Sequence, residues 1–194
     1  MAIDFAGSTS GSTILQAEAT AGGTITLADF SCVAGGWHTF DANRSLVGVQ
    51  SYTWGGIPTQ AREIQICFYR VSMNTSTNGG RYNLRVGQNG VDTAGNYEWF
   101  TAYNAGSKQH NENGDRFMLT HTDHTGDGHI ESGIIQLQKA QGHAWFMQGF
   151  FYDLSNLHWR AGGTWRSVDA ITHIQWYAPA NTFDNNSRFS ILYR

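Results

Sequence analysis

The stretch Arg62-Glu63-Ile64-Gln65-Ile66-Cys67-Phe68-Tyr69-Arg70 puts Ile64, Ile66 and Phe68 at every second position. Successive side chains of a strand point to opposite faces, so this alternation predicts a half-buried strand and excludes an amphipathic helix there. Arg81-Tyr82-Asn83-Leu84-Arg85-Val86 repeats the pattern, with Tyr82, Leu84 and Val86 facing inward and the arginines outward. The turn-rich Asn74-Thr-Ser-Thr-Asn-Gly-Gly80 between them predicts that the two strands form a hairpin. Residues 145–152 are almost continuously apolar, which predicts a central strand buried on both faces. Residues 170–176 and 188–193 read as further strands, the latter with Phe189, Ile191 and Tyr193 inward. Both prolines, Pro58 and Pro179, fall between these segments, where they interrupt no sheet ladder. Eight to ten strands and no helical apolar period predict an all-β fold, a jelly-roll β-sandwich of two sheets packed face to face.

Composition sharpens this. The 194 residues suit one domain, with residues 36–194 as the sandwich and residues 1–35 as a short N-terminal extension. Charged residues make up 14% and aromatic residues 13%, the reverse of what a disordered chain or a helical bundle needs. The first 35 residues differ: Gly7-Ser-Thr-Ser-Gly-Ser-Thr13 and Gly22-Gly23 bury little apolar area, so the segment is expected to lean on something else. A net charge of −3 with twelve scattered basic residues offers no phosphate-binding patch, so no nucleic-acid partner is expected. No run approaches the ~20 apolar residues of a membrane span, and the start shows no secretory signal. Two cysteines, Cys32 and Cys67, cannot make a disulfide framework, and they are expected to be reduced, partly buried thiols rather than a single bridge.

Candidate chemistry is sparse. His121-Thr-Asp123-His124-Thr-Gly-Asp127-Gly-His129 gathers three histidines and two aspartates, residue types that bind Zn or Ni where they converge. Gly126 and Gly128 also make the stretch a natural hairpin tip with solvated side chains, and that reading is preferred, so no metal ligand is assigned. Asp92 with Glu98, or Asp115 with Glu131, could act as an acid/base pair on a polysaccharide. With 15 carboxylates in the chain such pairs arise by chance. No nucleophile motif appears, and Gly87-Gln-Asn-Gly90 lacks the Lys-Ser/Thr of a phosphate loop. No catalytic residue and no cofactor is therefore expected. Trp37, Trp54, Trp99, Tyr103, Trp159 and Trp165 are candidates for stacking on sugars, against the preferred reading that these rings fill a core or a subunit contact.

Two stretches resemble a known group. The run Ile171-Thr-His-Ile-Gln-Trp-Tyr-Ala-Pro-Ala-Asn-Thr-Phe-Asp-Asn-Asn-Ser-Arg-Phe-Ser-Ile-Leu-Tyr193 resembles a module at the end of many structural proteins of tailed bacteriophages. There an Ile-Thr-x-Ile strand leads through Thr-Phe-Asp to an Ile-Leu-Tyr end, and a Val-Gly pair precedes a polar Gly turn as in Val86-Gly-Gln-Asn-Gly90. Phe5-Ala-Gly-Ser-Thr-Ser-Gly-Ser-Thr-Ile-Leu-Gln-Ala and Ala21-Gly-Gly-Thr-Ile-Thr-Leu27 are similar to a segment of phage fibre and decoration proteins. The chain departs from the module at Asn185-Asn186-Ser187, where a small residue and Gly are common. The resemblance implies a non-enzymatic jelly-roll virion protein, often trimeric, assembled in the host cytoplasm and displayed on the particle. Its implied partners are further copies of itself, the major capsid protein or other virion proteins, and a host surface glycan. With no repeat, heptad or shaft, a capsid decoration (cement) protein held by residues 1–35 is the first expectation, and a tail-fibre or receptor-binding module the alternative.

Overall fold

The computed structural model describes residues 15–16, 31–32, 36–73, 82–103, 107–120, 130–140, 144–153, 158–179, 181–184 and 187–194. It is all-β: two antiparallel sheets packed as a sandwich, as the alternation predicts. Within 1–35 only the backbone pairing of β1 (Leu15–Gln16) with β2 (Ser31–Cys32) is described, and the rest of the expected extension lies outside the described residues.

The larger sheet has eight strands. In spatial order they are β3 (His38–Ser45), β14 (Arg188–Tyr193), β5 (Glu63–Val71), β10 (Glu131–Lys139), β11 (Trp145–Asp153), β12 (His158–Trp165), β7 (Tyr97–Tyr103) and β8 (Ser107–Gly114). The smaller sheet runs β4 (Ser51–Gly55), β13 (His173–Tyr177), β6 (Asn83–Gly87) and β9 (Phe117–Met118). The expected hairpin of residues 62–70 with 81–86 is not formed, because β5 and β6 belong to different sheets. β5 and β6 each have a single apolar face, and those two faces meet across the sandwich instead of lying side by side. β5 instead pairs with β10 and β14, and β6 with β13 and β9.

The core forms where the inward rows meet. Ile64, Ile66 and Phe68 of β5, Ile135 and Leu137 of β10, and Phe189 and Ile191 of β14 are buried against Trp54, Leu84, Val86, Ile174 and Trp176. The rings interlock across the layers. Trp176 lies 5.0 Å, centroid to centroid, from both Phe68 and Phe189, and Tyr97 meets Phe117 edge-on at 4.9 Å. Such pairs contribute roughly 0.5–1.5 kcal/mol each beyond the area they bury. Phe183 acts as a peg between β13 and β14: its backbone bridges Val47 and Met73, and its ring stacks on Tyr82. Tyr193 shares the inward parity of Phe189 but is only partly buried, stacked on His38 at the margin of the core.

The strand at 145–152 departs from expectation. Trp145, Met147 and Phe151 are buried, but Phe146 is 53% and Phe150 58% exposed, so β11 is covered on one face only. The apolar residues of its second face conceal an ordinary alternation whose polar marker is Gln148.

Candidate functional site

The uncovered side of the larger sheet is the most distinctive surface among the described residues. Phe100 of β7, Ile134 of β10, and Phe146, Phe150 and Tyr152 of β11 are all large, apolar and exposed there. Phe100, Phe146 and Phe150 border a groove of about 770 Å³, within the usual range of ligand-binding clefts.

The groove follows from strand register. Gln136 of β10 lies opposite Gln148 of β11, Gln148 opposite Gly162 of β12, Gly162 opposite Phe100 of β7, and Phe100 opposite His110 of β8. Because one outward residue of each strand lies in the same row, five neighbouring strands contribute one continuous floor. Gln148 Nε2 donates to Gln136 Oε1 at 2.8 Å, which fixes the two amides relative to each other. Gly162 makes the floor possible at its centre. A Cβ there would lie 2.4 Å from Cε1 of Phe100, so the ring rests on backbone that no larger residue would leave free. One end of the groove is closed by Trp37 and Glu63, both held by Arg194. Its guanidinium bonds Glu63 Oε2 at 2.6 Å and sits 4.8 Å above the Trp37 ring.

Of the six rings proposed from sequence for sugar stacking, Trp54, Trp99, Trp159 and Trp165 are core residues, in line with the preferred reading. Trp37 does reach the groove, and the side chain of Tyr103 lies outside the described residues. The exposed rings that line the groove are Phe100, Phe146 and Phe150, all in mid-strand and none among those six. The signal that could have found them is the interleaving of Gln136, Gln138 and Gln148 with Ile134, Phe146 and Phe150 on paired strands.

The carboxylate pairs are not assembled. Asp92 accepts from Trp165 Nε1 at 2.7 Å, Asn96 Nδ2 at 2.9 Å and the Ala94 amide at 2.8 Å, while Glu98 opens onto the outer groove. Asp115 is engaged by Arg85 and Arg116, whereas Glu131 is fully buried at the start of β10. Cys67 is a free, half-buried thiol; the side chain of Cys32 and the whole of residues 121–129 lie outside the described residues.

The Asp92 cluster braces the loop after β6 instead. Tyr97 supports it from below: its buried hydroxyl accepts from the Val86 amide at 2.9 Å and lies 2.8 Å from the Val86 carbonyl, and burial pushes its titration upward. Burial alone would also push the Asp92 carboxyl up, but the bonds from Trp165, Asn96 and Ala94 outweigh it and hold it below the usual carboxylate range. A folded value below the unfolded one adds stability that is present above about pH 4 and lost as pH falls through the lowered value. Asp92→Asn is therefore expected to cost on the order of 1 kcal/mol at pH 7 and to flatten the acid limb of the stability curve. Urea unfolding at pH 7 and pH 3 checks this: the gap between variant and parent should narrow at the lower pH.

Comparison with family models, with curated proteins and with solved structures finds no match for this chain.

Proposed function

We propose that this chain is a non-enzymatic structural protein of a tailed-phage virion, a capsid decoration protein of jelly-roll type attached to the outer surface through residues 1–35. The observation that carries the reading is where the resembling residues lie. The run 171–193 supplies β13, which joins β4 to β6 in the smaller sheet, and β14, which joins β3 to β5 in the larger. The part of the likeness carried by residues 173–177 and 188–193 thus falls on the frame of the sandwich, whose geometry a shared fold must preserve. A second reading, a receptor-binding module of the tail, is favoured by the ring-bearing groove.

Gold-labelled antibody raised against residues 36–194 separates the two on intact particles. Label spread over the head is expected for the decoration protein, and deleting residues 2–27 should abolish it while the sandwich still folds. Label confined to the tail would replace the first reading by the second. Unlabelled particles would overturn both.

A further inference from the structure

The outer groove has a chemical pattern more specific than an apolar face. Its floor spans β10, β11, β12, β7 and β8, four strand spacings or about 19 Å. Along β11 the order Phe146, Gln148, Phe150 sets an amide between two exposed rings. With Gln148 donating to Gln136, the Gln136 amide nitrogen and the Gln148 carbonyl oxygen have no protein partner among the described residues. The Phe100 ring against Gly162, the two exposed rings of β11 and an oriented donor and acceptor complement a molecule with apolar C–H faces and a rim of hydroxyls, which is the surface of a pyranose.

Charge narrows the ligand further. Arg160 is the one Arg or Lys among the groove residues, against Glu63, Glu98 and Glu112. Arg194 already neutralises Glu63, so two carboxylates stand against one guanidinium. Phosphate or sulfate esters would meet no cationic row, which excludes nucleic acids and disfavours acidic glycans. A second copy of the chain would have to desolvate Gln136, Gln148, Arg160, Glu98 and His110 together, and interface centres are depleted of charged residues.

We propose that this groove binds a neutral oligosaccharide spread over β10, β11, β12 and β7, its sugar rings stacked on Phe100, Phe146 and Phe150 and its hydroxyls bonded to Gln136 and Gln148. The proposal holds for either position on the particle, so its failure leaves the attachment reading intact.

The test is native electrophoresis of the full chain through gels containing dextran, mannan, galactomannan or a neutral O-polysaccharide, with heparin as the acidic comparison. Retardation by at least one neutral polymer and none by heparin is expected. Titration calorimetry should show affinity falling at least tenfold in Phe146→Ala and in Phe150→Ala. Gly162→Ala should match them, because its methyl displaces the half-exposed Phe100 ring; unchanged circular dichroism and melting would show the fold intact. Three results would overturn the proposal: no retardation by any neutral polymer, binding that survives all three substitutions, or preference for heparin. Light scattering adds a fourth. A multiple of 21.5 kDa that reverts to the monomer in Phe150→Arg would make the face a contact between copies.

Discussion

Phe189→Ala is expected to destabilise the sandwich by about 3–5 kcal/mol, the range for truncating a buried phenylalanine whose site cannot collapse. Phe189 is 1% exposed and touches four other rings: Trp176 at 5.0 Å, Trp54 at 5.8 Å, Phe183 at 6.2 Å and Phe68 at 6.4 Å between centroids. Those rings belong to both sheets and to the Phe183 peg, so none can move into the void without opening a contact elsewhere. Urea unfolding should show a midpoint shifted by one or more molar with little change in slope, since the folded and unfolded surfaces stay comparable. Tyr193→Ala serves as the comparison. It lies on the same face of β14 but at the half-exposed margin, and should cost less than half as much. Equal losses at the two positions would mean that the core is not centred on Phe189.

Gly163→Ala is expected to cost about 3 kcal/mol, lowering Tm by roughly 6–12 °C for a chain of this size. An added Cβ would lie 2.2 Å from the Glu98 carbonyl oxygen and 3.0 Å from both the Trp99 Cα and the Phe117 ring. Two of these are backbone or backbone-attached atoms of β7, paired directly with β12, and the third belongs to the opposing sheet. Neither neighbour can yield alone, so the sheets must part or the ladder must shift. The adjacent Gly162→Ala meets only the tip of an exposed ring, and a much smaller change in stability is expected. Two consecutive glycines thus serve different ends, one packing the sheets together and the other shaping the groove. Scanning calorimetry of both variants separates the roles, and a Gly163→Ala protein that melts with its parent would refute the close approach.

The legibility of this fold in its sequence depended on how polar the second face of each strand is. β5 could be read because Gln65 and Cys67 interrupt its apolar residues, leaving Ile64, Ile66 and Phe68 in one row. β11 could not, because Phe146, Phe150 and Tyr152 are apolar yet exposed, and hydrophobicity alone cannot report whether a neighbour covers a face. The pairing of β5 is hidden in the sequence for a different reason. A turn-rich segment between two strands is compatible with a hairpin and equally with a crossing between layers, and only the competition from β10 and β14 decides it. The groove is legible in hindsight through its glutamines. A polar residue recurring at the same parity on two neighbouring strands marks an outward row, however many phenyl rings share it.

The place of β14 has a bearing on how the protein is made. Among the described residues β3 joins the larger sheet only through β14, and the two are joined by contacts such as that of the Asn43 amide with Ser190 Oγ, 147 residues apart. At about 5–20 residues per second, a ribosome needs on the order of ten seconds between finishing the first of these strands and finishing the second. Throughout that interval β3 has no partner in the larger sheet, and one edge of β5 stays open to any other strand that passes. Pairing at such sequence separation is also slow once the chain is complete. A nascent chain of this design spends its early life with a template for misassembly exposed, so its yield in a cell should depend on translation speed and on chaperones that hold extended segments apart.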